Sequence, residues 1–281
     1  QVLGPSFCTI MAVVFARIST VFQDRGARWV LGGWSLFTIE NIVLSEYRQE
    51  IKRSWGGKGG PKAYQSLYST LSATTLGSTI YAYWRFARHS IEIRSCPADP
   101  RSRLAAFAFR AFGLATLGQL APPVNLYAAP LALGLTKAPD LLSPPERGAL
   151  GCPFDMNAYK DRGEIFGITR VTRRPELLGL GGIAAGGALL AKTAVEMAFF
   201  GVGPAVCFTV LALHSDRTQI ISEELSLEKV SQTSIVPFVA LFSGRQRWSD
   251  LASDIVPQNV GVAVLIAGLL AFRPPWLRWV R

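Results

Sequence analysis

The chain has 281 residues, 49% hydrophobic, only 17% charged, with a net charge of +10 and a mean hydropathy of +0.27. Soluble domains average about 25% charged residues, so this balance argues against a water-soluble enzyme and for a bilayer environment. The basic excess sits in connecting segments (Arg48, Lys52, Arg53, Lys58, Lys62; Arg85, Arg88, Arg94, Arg101, Arg103; Arg162, Arg170, Arg173, Arg174), where it favours anionic headgroups. No stacking-aromatic groove or basic recognition helix accompanies it, so nucleic acid is not the expected partner.

Taken in chain order, apolar stretches of about 20 residues mark spanning helices. Phe7–Phe22, broken only by Arg17, is a candidate first span, within an N-terminal segment 1–28 set apart from a main domain 29–281. The chain starts at Gln1 and not at Met, as expected where a targeting peptide has been removed or where the sequence begins after the true start. Trp29–Leu44 follows, with Glu40 and Asn41 near its end, and then the basic stretch Arg48–Pro61, whose Gly56, Gly57, Gly59 and Gly60 preclude a continuous helix. Ala63–Trp84 is rich in small residues and closes on Tyr81, Tyr83 and Trp84, an interfacial aromatic set. Leu104–Leu120 ends before Pro122-Pro123, and Val124–Leu135 lies in or on the membrane.

Residues 137–174 are polar and rich in Pro and Gly, the one sizeable extramembrane segment. Pro175 then suits the first turn of a helix, where its missing N–H is harmless. The apolar run Leu177–Leu213 exceeds one span. Lys192 and Glu196, spaced to pair with each other, and then Gly201, Gly203 and Pro204, are expected to divide it. Ile255–Phe272 is the last span, followed by Trp276 and Trp279 as belt residues. The expected fold is therefore all-α, a polytopic bundle of about six to seven transmembrane helices. In Leu178–Leu190 the dense small residues allow close helix packing or leave room for a flat ligand; both readings stand. Cys8, Cys96, Cys152 and Cys207 are widely separated and form neither a disulfide framework nor a metal motif.

Three stretches, in this order, carry a family resemblance: Gly60-Pro61-Lys62-Ala63-Tyr64 with Leu67-Tyr68; Gly167-Ile168-Thr169-Arg170-Val171-Thr172-Arg173-Arg174-Pro175; and Thr233-Ser234-Ile235-Val236-Pro237-Phe238 with Ala240 and Gly244-Arg245-Gln246. From about Trp34 to Phe272 the chain resembles the NnrU-type membrane proteins, and among them the plastid 15-cis-zeta-carotene isomerases. The resemblance implies an integral plastid membrane protein, in the thylakoid or inner envelope, and in that family haem b performs the isomerisation. This sequence departs at each family histidine. The His-Ser place reads Asn41-Ile42, the Arg-His-Pro place reads Arg173-Arg174-Pro175, a later histidine falls near Gly187, and the His-His pair aligns to Val206-Cys207.

Only His89 and His214 occur in the chain. His89 sits in a basic loop and is expected to be solvated. Cys207 and His214, two turns apart on one helical face, are the candidate relocated haem ligands, against plain readings as a core thiol and an interfacial polar residue. Glu40 and Asn41 need partners inside a span. The alternatives are a chlorophyll magnesium, which takes hard oxygen donors, or a helix–helix hydrogen bond or a salt bridge to Arg170 or Arg173. Arg170, Arg173 and Arg174 read either as a clamp for propionate or lipid phosphate or as interfacial anchors. Glu223, Glu224 and Glu228 read as a solvated face.

Two functions follow from the resemblance and its departures. One is a non-catalytic structural or pigment-binding subunit of a photosystem or light-harvesting complex, with chlorophyll, carotenoid and lipid as cofactors and membrane lipids and other membrane subunits as partners. The alternative is an active haem-dependent carotene isomerase with relocated ligands. A membrane sensor or assembly factor, like the nitrogen-oxide-linked bacterial members, is a third reading that nothing in the sequence separates from the first.

Overall fold

The computed structural model describes residues 18–55, 60–93, 99–120, 165, 167–223 and 225–272. The expected features within residues 1–17, 56–59, 94–98, 121–164, 166, 224 and 273–281 lie outside them, including most of the first candidate span, Val124–Leu135, Cys8, Cys96, Cys152, Glu224, Trp276 and Trp279. Among the described residues the fold is all-α: no strand forms, and the only β pairing is an isolated bridge between Glu92 and Thr193.

Helix α1 (Arg25–Glu46) begins at Asp24, whose carboxylate accepts the Ala27 N–H as an N-cap. The 1–28 boundary therefore falls inside its first turn. A short α2 (Arg48–Ser54) precedes α3 (Gly60–Phe86), and α4 (Pro100–Gly118) starts on an Asp99 cap with proline in its first turn. Helix α5 (Pro175–Leu190) opens on the expected proline. The break beyond it comes at residues 191–193, where Thr193 caps α6 (Ala194–Met197). Gly201, Gly203 and Pro204 do not divide the next helix. A π-turn over Ala198–Val202 absorbs them and leads straight into α7 (Gly203–Ile221). Nor do Lys192 and Glu196 form a side-chain pair. The Glu196 carboxylate accepts the Lys192 backbone N–H at 2.9 Å, closing the helix N-terminus. Short helices α8 (Leu227–Gln232), α9 (Val239–Phe242) and α10 (Trp248–Asp254) then lead into α11 (Pro257–Phe272).

The long helices pack side by side in the order α3, α1, α7, α5, α4, α11. Successive long helices reverse direction. At one end Tyr64 Oη donates to Leu44 O, Asn259 Nδ2 donates to Gly118 O, and Arg174 reaches Gln219. These contacts bring the α1, α4 and α7 C-termini to the α3, α5 and α11 N-termini. At the other end Asp24 accepts from Ser90 and the Ile91 N–H, Val195 N–H donates to Ser90 Oγ, and Phe107 packs on Phe272.

The close helix spacing comes from glycine. A Cβ on Gly113 would collide with the Gly179 carbonyl oxygen, and one on Gly186 with the Ala106 carbonyl oxygen. Gly187 likewise lies against the Phe200 backbone. At these positions the small-residue run of α5 is filled by neighbouring backbone, which is its packing use. The main apolar core joins α1, α5 and α7 through Val30, Trp34, Phe37, Leu177, Cys207, Phe208 and Leu211.

By length and composition one helix, Ala194–Ile221, is able to cross a bilayer alone; Trp248–Asp254 and Pro257–Phe272 qualify together across an 86° bend.

Candidate functional site

The second and third resemblance motifs meet in space. Gly167–Arg170 forms a 3-10 turn, and Gly167, Ile168, Thr169, Val171 and Thr172 are buried. This end of the 137–174 segment forms a layer closing the bundle. Arg173 lies against Asp216 in a two-pronged contact, Nε to Oδ1 and Nη2 to Oδ2, both 2.8 Å. Its Nη1 also donates to the Val230 and Thr233 carbonyls. Both partners are nearly sealed, with side chains 10% and 8% exposed. Arg174 Nη2 donates to Gln219 Oε1 at 2.6 Å and to Ser215 O. Lys229, nearby, is pushed below the usual lysine range by burial and by the Arg174 charge. Asp216 is a buried counter-ion.

Arg170 is held separately. Its Nε donates to Asp254 Oδ2 at 2.9 Å and its Nη1 to Gln246 Oε1 at 2.6 Å, with Asp250 at 3.8 Å. Asp254 also accepts the Gly167 N–H, and this bond first, then that from Arg170, holds its carboxyl below the ordinary range. The turn needs a left-handed φ of +48° at Gly167, which glycine supplies without strain. The third motif is tied in by Phe238 N–H to Val171 O, Thr172 Oγ1 to Ile235 O, and Arg173 N–H to Ser234 O. Phe238 itself adopts φ +65°, unusual for a bulky residue.

Glu40 and Asn41 lie elsewhere, on the α1–α3 seam, and form no ion pair with Arg170 or Arg173. Glu40 accepts the Ser72 and Thr75 hydroxyls at 2.8 Å each. Asn41 donates to Phe37 O and accepts the Tyr68 hydroxyl. The first resemblance motif therefore acts through its tyrosines: Tyr64 and Tyr68 stack and latch the start of α3 to the end of α1. Glu40 is partly exposed, whereas Asn41 is buried.

Cys207 and His214 do share one face of α7, but each is taken up by α1. Cys207 is a buried core residue on the Thr38 side of α1. His214 Nε2 lies 2.9 Å from Ser45 Oγ and 3.8 Å from Glu46. Two helical turns separate them by about 10 Å along the axis, and the space around Cys207 is filled by Trp34, Phe208 and their neighbours. Both residues are thus engaged in packing α7 against α1. His89 is exposed, as expected. Among the described residues no three His, Cys, Asp or Glu side chains gather as a metal-binding group.

The contacts that sequence reasoning missed are Asp216, Gln219, Gln246 and Asp254, the partners of the three arginines. The one available signal was the presence of two aspartates, Asp216 and Asp254, each near an apolar run that would otherwise exclude charge. Compared with family models, curated proteins and solved structures, the chain matches none.

Proposed function

We propose that the protein is a six-span integral membrane subunit whose task is structural and pigment-holding rather than catalytic, within a plastid photosynthetic complex. The observation that carries the membrane part is the placement of polarity. Away from the arginine layer, where Asp216 and Arg217 of α7 sit, and from the terminal turns, the six long helices carry only Glu40 and Arg110 as charged residues. Large apolar side chains point outward: Leu36, Ile39 and Val43 on α1, Leu76 and Ile80 on α3, Val206 and Leu213 on α7, Leu265 and Leu269 on α11. Polar Asn41, Thr79, Thr116 and Asn259 are buried between helices, while α3 also carries Ser66, Ser69, Thr70, Thr74 and Ser78 on its exposed face, where the Thr74 and Ser78 hydroxyls donate to carbonyls of their own helix. A soluble bundle has the reverse distribution, whereas lipid-facing helices require this one. At 1.5 Å per residue, the 22 residues of α1 and 19 of α4 reach about 30 Å, the thickness of the hydrocarbon core, and the 27 of α3 reach about 40 Å, enough to extend into the polar layer. Of the two shorter helices, 16 residues each, α5 is shielded by α4 and α7, and α11 reaches the span length only together with α10.

The structural task is supported by the occupation of the candidate residues: the three arginines, Asn41 and His214 each hold two parts of this chain together. Glu40 also ties α1 to α3 through the Ser72 and Thr75 hydroxyls, but it is partly exposed, and the lone pairs its carboxylate keeps suit the magnesium of a chlorophyll approaching from the outer surface. The plastid complex itself rests on the resemblance of the three motifs. Isolation of the protein from its native membrane in mild detergent tests the reading. Pigment absorbance and co-migrating subunits are expected, with the pigment share reduced in Glu40→Ala. A lone colourless chain would refute it, and a haem Soret band lost in Cys207→Ala or His214→Ala would install the isomerase reading instead.

A further inference from the structure

Just outside the arginine layer a tip projects from the bundle. Phe242 is 79% exposed, Val236 55% and Trp248 49%. The tip is built rigidly. Trp248 packs edge-on against Phe242 at 5.4 Å and stacks on Phe238. Arg245 Nη1 donates to the Thr233 and Ser231 carbonyls, and Gln246 N–H donates to Ala240 O. Exposed aromatic surface fixed in this way is not a folding remnant that a small shift would bury.

Its position says what it meets. Helix α10, which begins at Trp248, meets the uncharged, outwardly apolar α11 at 86°. With α11 along the bilayer normal, α10 lies flat at the level where α11 enters. That level is the polar layer, roughly 5–8 Å deep on each side of the hydrocarbon. Trp and Phe beside arginine suit this layer: the rings settle among glycerol and upper chains while the guanidinium meets phosphate. Arg245 and Arg247 are both exposed there. The nearby acids are otherwise engaged: Asp250 and Asp254 turn to Arg170, and Glu228 accepts from Gln232.

We infer that the Val236–Phe242–Trp248 tip, with Arg245 and Arg247, seats in the headgroup layer of an anionic bilayer and fixes the depth of α11. The inference rests on the membrane reading above. It is tested with the full chain in bilayers of phosphatidylcholine, with and without phosphatidylglycerol, carrying a photo-crosslinking amino acid at position 242 or, separately, at the exposed α11 position 265. Lipid adducts are expected at both, at the glycerol and upper-chain end for 242 and along the chain for 265. Enrichment of phosphatidylglycerol at 242 should fall roughly fivefold for each of Arg245→Gln and Arg247→Gln. Lipid adducts at 265 with none at 242, or with 242 joined to another polypeptide, would overturn the inference and leave the membrane reading intact. No lipid adduct at either position would overturn both.

Discussion

Two regions of this bundle are held together by opposite means. The α4–α5 seam depends on absence: Gly113, Gly179 and Gly186 remove side chains so that backbones touch, and dispersion does the rest. The end layer depends on presence: Arg170, Arg173 and Arg174 draw in Asp216, Asp254, Gln219 and Gln246 from segments far along the chain. The seam cannot tolerate added volume. The layer cannot tolerate a missing partner. The first fixes how closely the helices approach, and the second fixes which ends meet.

The largest effect is expected at the seam. Gly113→Leu or Gly179→Leu sets a branched side chain against backbone that cannot retreat, and should cost more than the ~1–3 kcal/mol of ordinary overpacking. Thermal unfolding in detergent should show no native transition, while Gly77→Leu, where a Cβ meets nothing within 4 Å, should melt like the parent. Next comes Asp216→Ala. It leaves Arg173 sealed without its counter-ion, at a cost of about 3–5 kcal/mol. The double change Asp216→Leu with Arg173→Met should recover much of that loss, which separates a buried charge from a mere packing defect.

Smaller effects sharpen the contrast. Tyr68→Phe removes one hydroxyl from Asn41 and should cost about 1 kcal/mol, or less where the unfolded span finds other partners. Acid should act on the layer and not on the seam. Because the folded-state carboxyl of Asp254 is held below its ordinary 3.8, its contribution is present above that value and is lost as pH falls through the lower folded one. Amide exchange at Gly167, whose N–H it accepts, should accelerate in acid, and Asp254→Asn should flatten that dependence.

Legibility in the sequence follows the same division. Apolar length located α1, α3, α4 and α11 within a few residues, and Pro175 and Lys192 marked real boundaries because they act on the adjacent backbone alone. The π-turn escaped because Gly201, Gly203 and Pro204 read as breakers, whereas a wider helical turn accommodates them. The arginine layer escaped more completely. Residues 167–174 look like a basic loop in composition, and the pairing partners stand 43 residues away for Arg173 and 84 for Arg170. Glu40 and Asn41 were legible as groups needing partners. Their actual partners, hydroxyls on α3, are too common along that helix to be singled out from sequence.

The placement of polarity is most directly tested by a carbene-generating hydrophobic reagent dissolved in the bilayer, with labelled residues mapped by mass spectrometry. Labels are expected on Leu36, Ile39, Val43, Val206, Leu213, Leu265 and Leu269, and none on Asn41, Thr79, Thr116 or Asn259. Labelling absent from the outward set, in a protein that washes off the membrane without detergent, would contradict it.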